Sequence, residues 1–336
     1  MKIKKVLALF MGISMIMTGC ATASQPNATT GAATTPAATT SAVTAAPATT
    51  PAVTAAPATT PVPSAFKGRY LVDGEYVKSA AGKAGVLIID ARGEDPAKAG
   101  TVEGAIAMKW QMIANVTGKP GDPMWGTMLE PAALSTALSK FGITKDKEII
   151  VFGAAQKGWG DEGRIVWQLL AAGFPNVKMV DGGLEGLSKA GVTIVKGATA
   201  PVPADVVVTE INNAHNINTD ALAADYKNFK VVDVRANEEY QGQVLYGEAN
   251  GGHLPGAIHI NFTTLFNADN TLKSNDEITK LFTDAGLSKT DKIVTYCTAG
   301  IRSAYMQLIM EMTGFENSFN YDESFYRWSA VNELEK

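Results

Sequence analysis

Cys297 stands at the end of a β-branched and aromatic run, Ile293-Val294-Thr295-Tyr296, and is followed by Thr298-Ala299-Gly300-Ile301-Arg302. A helix-like stretch, Ser303 to Met310, comes directly after. A thiol at such a strand-to-helix turn meets successive backbone N–H groups and the positive end of a helix dipole. Those partial charges, with Arg302 nearby, favour the thiolate, which is the nucleophilic form of cysteine. The competing reading is a buried cysteine with a packing role alone. The Gly300 turn and Arg302 argue for a reactive one, because the N–H groups of residues 298 to 302 would stabilise an anionic sulfur. Once the thiol ionises no general base is required, and none of the three histidines lies near Cys297 in the chain.

Three more motifs flank this loop. Val231-Val232-Asp233-Val234-Arg235 leads into Glu239-Tyr240, Gly252-His253-Leu254-Pro255-Gly256-Ala257-Ile258 follows, and Tyr321-Asp322-Glu323-Ser324-Phe325-Tyr326-Arg327-Trp328 closes the chain. In this order, across residues 67 to 336, they resemble the two-domain (tandem) rhodanese or sulfurtransferase family. The resemblance implies an α/β protein of two rhodanese-like domains, each a parallel five-stranded sheet flanked by helices on both faces. It implies Cys297 as the catalytic nucleophile and Thr298, Ala299, Gly300, Ile301 and Arg302 as the substrate-binding loop. Asp233, Arg235 and His253 become supporting residues. The implied reaction moves a sulfane sulfur from thiosulfate or a similar donor, 3-mercaptopyruvate included, to a thiol or cyanide through a persulfide on Cys297. No cofactor and no metal is implied.

One departure bears on the donor. The thiosulfate enzymes of the family carry arginine just before the tyrosine that matches Tyr240, where this chain has Glu239. The expectation is a lost anion contact and added repulsion. Arg302 has two readings, one pointing into the loop to hold an anionic donor and one facing outward; the first is preferred.

The body carries the same plan twice. Val86 to Arg92 parallels Val231 to Arg235, Val102 to Ile106 parallels Leu254 to Ile258, and Glu148 to Phe152 parallels Lys292 to Tyr296. Short apolar strands separated by helical stretches predict parallel sheets covered on both faces. Aligning the strands puts Gly153 opposite Cys297, and the loop Ala154 to Asp161 reads as about three residues longer than its counterpart. The first copy therefore lacks the thiol and reads as a support, with Trp159 or Lys157 as candidates to reach the second site. The expected domains are 67–200, without the catalytic cysteine, and 201–336, the catalytic one, with Gly197 to Asp205 as linker.

The front of the chain is of another kind. A basic start, Met1-Lys2-Ile3-Lys4-Lys5, an apolar stretch and Met17-Thr18-Gly19-Cys20 resemble a bacterial lipoprotein signal over residues 1–19, with lipid on Cys20. Residues 20–66 are rich in Ala, Thr and Pro, with Ala42 to Pro51 repeated unchanged as Ala52 to Pro61. Such a segment has nothing to bury and predicts an extended tether, open to O-glycosylation. The expected location is outside the cytoplasm, anchored by lipid to the bacterial cell membrane. The net charge of −4 without basic clusters speaks against a nucleic-acid partner, and the body is expected to be a monomer.

Rival functions follow from the same residues. A related phosphatase loop needs five residues between Cys and Arg, and this one has four, Thr298 to Ile301. A non-catalytic, surface-tethered binding protein on the same scaffold remains the alternative to an enzyme. Redox cycling would depend on an external thiol, since the body holds a single cysteine.

Overall fold

The computed structural model describes residues 65–336. The expected signal peptide, Cys20 and nearly all of the tether lie outside the described residues. The described residues form one compact unit.

The first half contains β1 (Leu71–Val72), α1 (Gly74–Ala80), β2 (Val86–Asp90), α2 (Glu94–Ala99), β3 (Thr101–Val102) and β4 (Ile106–Ala107). It continues through α3 (Pro131–Phe141), β5 (Glu148–Phe152), α4 (Asp161–Ala171), β6 (Val177–Val180), α5 (Gly183–Lys189) and β7 (Ile194–Val195). The second half contains β8 (Asn216–Ile217), α6 (Thr219–Asp225), β9 (Lys230–Asp233), α7 (Asn237–Tyr240) and β10 (Ile258–His259). Then come α8 (Asn275–Asp284), β11 (Ile293–Tyr296), α9 (Ile301–Met312), β12 (Ser318–Tyr321) and α10 (Ser324–Val331).

Each half builds one five-stranded parallel sheet, in the orders β1-β6-β5-β2-β4 and β8-β12-β11-β9-β10. The orders correspond strand for strand, so the duplicated sequence plan is a duplicated topology. The central strands are mostly apolar because both faces are covered: all of Ile293–Tyr296 is buried, as are four of the five residues of Glu148–Phe152. Helix ends are written locally. Ser274 and Glu277 cap α8 reciprocally, and Pro131 opens α3, which Gly142 closes in the left-handed conformation.

Equivalence at residue level follows from register. Asp90 pairs with Phe152 as Asp233 pairs with Tyr296, so Gly153 is the counterpart of Cys297. Both helices after the loops begin behind a left-handed glycine, Gly160 and Gly300. Counted between these caps, the first loop is four residues longer rather than the three expected from sequence.

The halves meet through α4 and α9. Gly163 allows that approach, since a methyl group there would collide with the Tyr305 ring. One apolar cluster runs through both halves, joining Ile89, Val151 and Ile165 to Val232, Phe262 and Met306, and Cys297 belongs to it. The far faces of the two sheets pack separately. The segment just after the expected linker is pinned to α3, with Val206 N donating to Ser139 Oγ at 3.2 Å and Val208 N to Ser135 Oγ at 2.9 Å.

Candidate active site

Cys297 leaves the C-terminal end of β11 and sits one short turn before α9, only 1% exposed. Gly300, at φ +77°, makes that turn, and a side chain there would strike the carbonyl of Asp322. The cysteine backbone is clamped from below. Its N–H donates to Ser324 Oγ at 2.9 Å, and that hydroxyl donates to the Cys297 carbonyl, also at 2.9 Å. Ser324 holds this position at φ +56°, a strained conformation for a residue with a side chain. Its counterpart in the first half is a glycine, Gly183.

Burial by itself pushes the thiol up. Arg302 and the N–H groups of Ser303 and Ala299 oppose it, and the balance lies below the ordinary value of 9.0. The Ser303 hydroxyl lies 3.7 Å from the sulfur and 2.7 Å from Asn320 Oδ1. It has one proton, and the shorter bond holds it, so the lowering rests on Arg302 and the two N–H groups.

Arg302 is not free. Its guanidinium donates to both oxygens of Glu239, at 2.7 and 2.8 Å, and to Thr298 Oγ1 at 2.9 Å. Thr298 Oγ1 donates to Glu239 at 2.6 Å, and the Ala236 N–H to the same carboxylate at 3.0 Å. Burial raises Glu239, but Arg302 and these donors hold it below the usual carboxylate range. The residue expected to repel an anion instead neutralises the arginine expected to attract one.

The supporting residues stand behind the loop. Arg235 and Asp233 form a fully buried pair, Arg235 also donates to the Gly252 carbonyl at 2.8 Å, and Tyr296 donates to Asp233 at 2.5 Å. Arg92, Asp90 and the Gly100 carbonyl repeat this unit in the first half. His253 stacks on Tyr240 at 4.0 Å and its Nδ1 lies 3.1 Å from the Tyr240 carbonyl. Asp233, Arg235 and His253 do not line the cavity over the sulfur.

That cavity, about 260 Å³, is lined by Cys297, Thr298, Ala299, Ile301 and Arg302 from the second half. Trp110, Gln111, Trp125, Trp159 and Asp161 from the first half, with Tyr246 and Tyr326, complete the wall. Trp159 stacks on the Arg302 guanidinium at 4.9 Å. Lys157 turns away and pairs with Glu185 at 2.5 Å. Trp159 was a candidate from the sequence, whereas Trp110, Trp125, Tyr246, Tyr326, Asp161 and Ser324 were missed there. The available signal was composition, since three of the five tryptophans line this one space.

The first half has no such site, and its cradle is filled. Glu162, second residue of α4 as Arg302 is of α9, is buried and accepts from Ala155 N at 3.1 Å. A methyl group on Gly153 would run into its other oxygen. Since Ala155 corresponds to Ala299, a carboxylate lies where the second half has its sulfur. Burial pushes Glu162 up to about 7.

Two parallel sheets of one topology, with a thiol loop at the mouth of the second alone, define a tandem α/β protein with one cysteine site among the described residues. The rhodanese-like domain family matches residues 73–190 and 211–331, and the chain belongs to that family. It is 26% identical over 240 residues to a candidate thiosulfate sulfurtransferase of Mycolicibacterium smegmatis, covering 69% of this chain and 84% of the relative. A candidate thiosulfate sulfurtransferase of Mycobacterium leprae is 26% identical over 275 residues, covering 78% and 95%. Among solved structures, the anaerobic ergothioneine biosynthesis enzyme of Chlorobium limicola with trimethyl histidine superposes with a TM-score of 0.68 at 20% identity, covering 80% of this chain and 70% of that one. A variant of EanB with hercynine gives 0.70 at 20% identity, covering 80% and 69%. At this identity the likeness shows the fold alone.

Proposed function

We propose that the protein is a sulfurtransferase that carries sulfane sulfur on Cys297. The observation that supports this most is the thiol itself, buried at a helix N-terminus under a cavity and held below its ordinary pKa by Arg302 and two N–H groups. The thiolate attacks the outer sulfur of a donor such as thiosulfate. The S–S bond of the donor breaks, sulfite leaves with its electron pair, and a persulfide remains on Cys297. A thiolate or cyanide then attacks the outer sulfur and Cys297 leaves as the thiolate. The same N–H groups stabilise the anionic sulfur in both states. EanB structures bearing a persulfide cysteine with ergothioneine support this chemistry on a related fold.

Intact mass of the protein before and after thiosulfate, and again after cyanide, tests the reading. A gain of one sulfur, lost as thiocyanate forms and absent in Cys297→Ser, is expected. No gain from thiosulfate, mercaptopyruvate or inorganic polysulfide sinks it and favours a tethered binding protein.

On its sequence signal, the protein is anchored outside the cytoplasm by lipid on Cys20. Metabolic labelling with palmitate that survives Cys20→Ser would contradict that anchor.

A further inference from the structure

The cavity over Cys297 is walled by rings standing at right angles. Trp110 and Trp125 lie 6.4 Å apart at 86°, Trp125 and Tyr326 5.4 Å apart at 87°, and Trp159 and Tyr246 5.2 Å apart at 90°. Trp159 and Tyr246 form an accessible rim, 44% and 41% exposed. Aromatic faces carry negative potential and attract cations, quaternary and primary ammonium groups included.

Charge points the same way. Among the described lining residues Arg302 is the one cation, and Glu239 grips it with both oxygens. The remaining groups that can charge at this wall near neutral pH, Cys297 and Asp161, are both acids. Burial pushes Asp161 up to about 6, opposed by the Asp161 and Trp159 N–H groups and by Lys109. A dianion such as thiosulfate therefore meets no uncompensated positive side chain in the lining, Lys109 acting on Asp161 only from outside it, whereas an organic cation meets rings and carboxylate together.

We propose that the sulfur acceptor of this site is a small thiol bearing an ammonium group, seated between Trp125, Tyr326 and Asp161 with its sulfur facing Cys297. The assignment rests on Cys297 being the sulfur carrier. The acceptor thiolate attacks the outer sulfur of the persulfide, that S–S bond breaks, and Cys297 leaves as thiolate. The transferred sulfur keeps its negative charge, one S–S bond forms as another breaks, and no oxidant or reductant enters.

Two measurements on the full chain separate the cage from the chemistry. Tetramethylammonium, titrated against the unloaded protein and followed by calorimetry, should bind saturably and about tenfold more weakly in Asp161→Asn and in Trp125→Ala. Absence of binding, or equal binding in both variants, overturns the cation site. Cys297 is then loaded with inorganic polysulfide and unloaded with cysteamine or 3-mercaptopropionate, compared per thiolate. Cysteamine should be about tenfold faster, with tetramethylammonium as inhibitor. Equal or reversed rates overturn the acceptor assignment. Cation binding without any loading of Cys297 overturns the sulfur-carrier reading, and the acceptor assignment with it, and leaves a cation site standing.

Discussion

Arg164 belongs to the first half of the chain, yet it donates to the carbonyl of Gly300, in the thiol loop of the second, at 3.0 Å. The same guanidinium donates to the Gly126 carbonyl at 2.8 Å, pairs with the buried Asp322, and lies over the rings of Trp110 and Trp167. Asp322 in turn accepts from the Met128 N–H at 3.1 Å, and Asp181, its counterpart, accepts from the Leu272 N–H at 2.8 Å. The half without a cysteine thus supplies the back of the loop that carries one.

Arg164→Met should uncouple the halves. Removing one partner of a buried ion pair costs about 3–5 kcal/mol because Asp322 is left charged and unpaired. Arg164→Met with Asp322→Asn should recover much of the thermal midpoint but not the rate of sulfur loading, since Gly300 would still lack its donor. Recovery of both would reduce Arg164 to a stability role.

Glu239→Gln should make the site more like one for anions. With its carboxylate gone, Arg302 is no longer neutralised, and the thiol pKa should drop further. Loading from thiosulfate should rise by about tenfold at low ionic strength and lose that gain in salt. A fall in the loading rate despite a folded variant would mean that Glu239 is needed to aim Arg302.

The pH dependence of alkylation reads the thiol directly. Iodoacetamide should label Cys297 with a midpoint below 9.0, because the loop favours the thiolate against burial. In Arg302→Gln the midpoint should move up, as burial then outweighs the two N–H groups. An unchanged midpoint would assign the shift to the backbone alone.

Glu162 predicts a stability effect of defined sign. Its carboxyl in the folded protein sits at about 7, above an ordinary 4.5, so the folded state holds the proton more tightly than the unfolded chain. Its contribution to stability is complete at low pH, falls as pH rises from 4.5 through 7, and is flat above. Glu162→Gln, which keeps an acceptor for Ala155, should therefore be the more stable protein above pH 7 by roughly 1–3 kcal/mol and gain little at pH 4.5. Denaturant midpoints at the two pH values decide it, and a difference independent of pH would contradict the buried carboxylate.

What the sequence determined by itself is what neighbours in the chain determine. The apolar runs of β5 and β11, the glycine turn and helix after Cys297, the duplicated plan and the empty position at Gly153 all follow from short spacings and local backbone preference. The tertiary structure alone decided charge and shape at the site. Glu239 reaches Arg302 across 63 residues and Arg164 reaches Gly300 across 136. Glu162 fills the first cradle over Gly153, a contact across a loop whose path the local sequence leaves open. The aromatic wall is drawn from separate segments that meet only once the halves pack through α4 and α9. Such pairings depend on which surfaces are buried together, and a glutamate read in the chain as repulsive becomes, at 2.7 Å from an arginine, the group that sets the charge of the cavity.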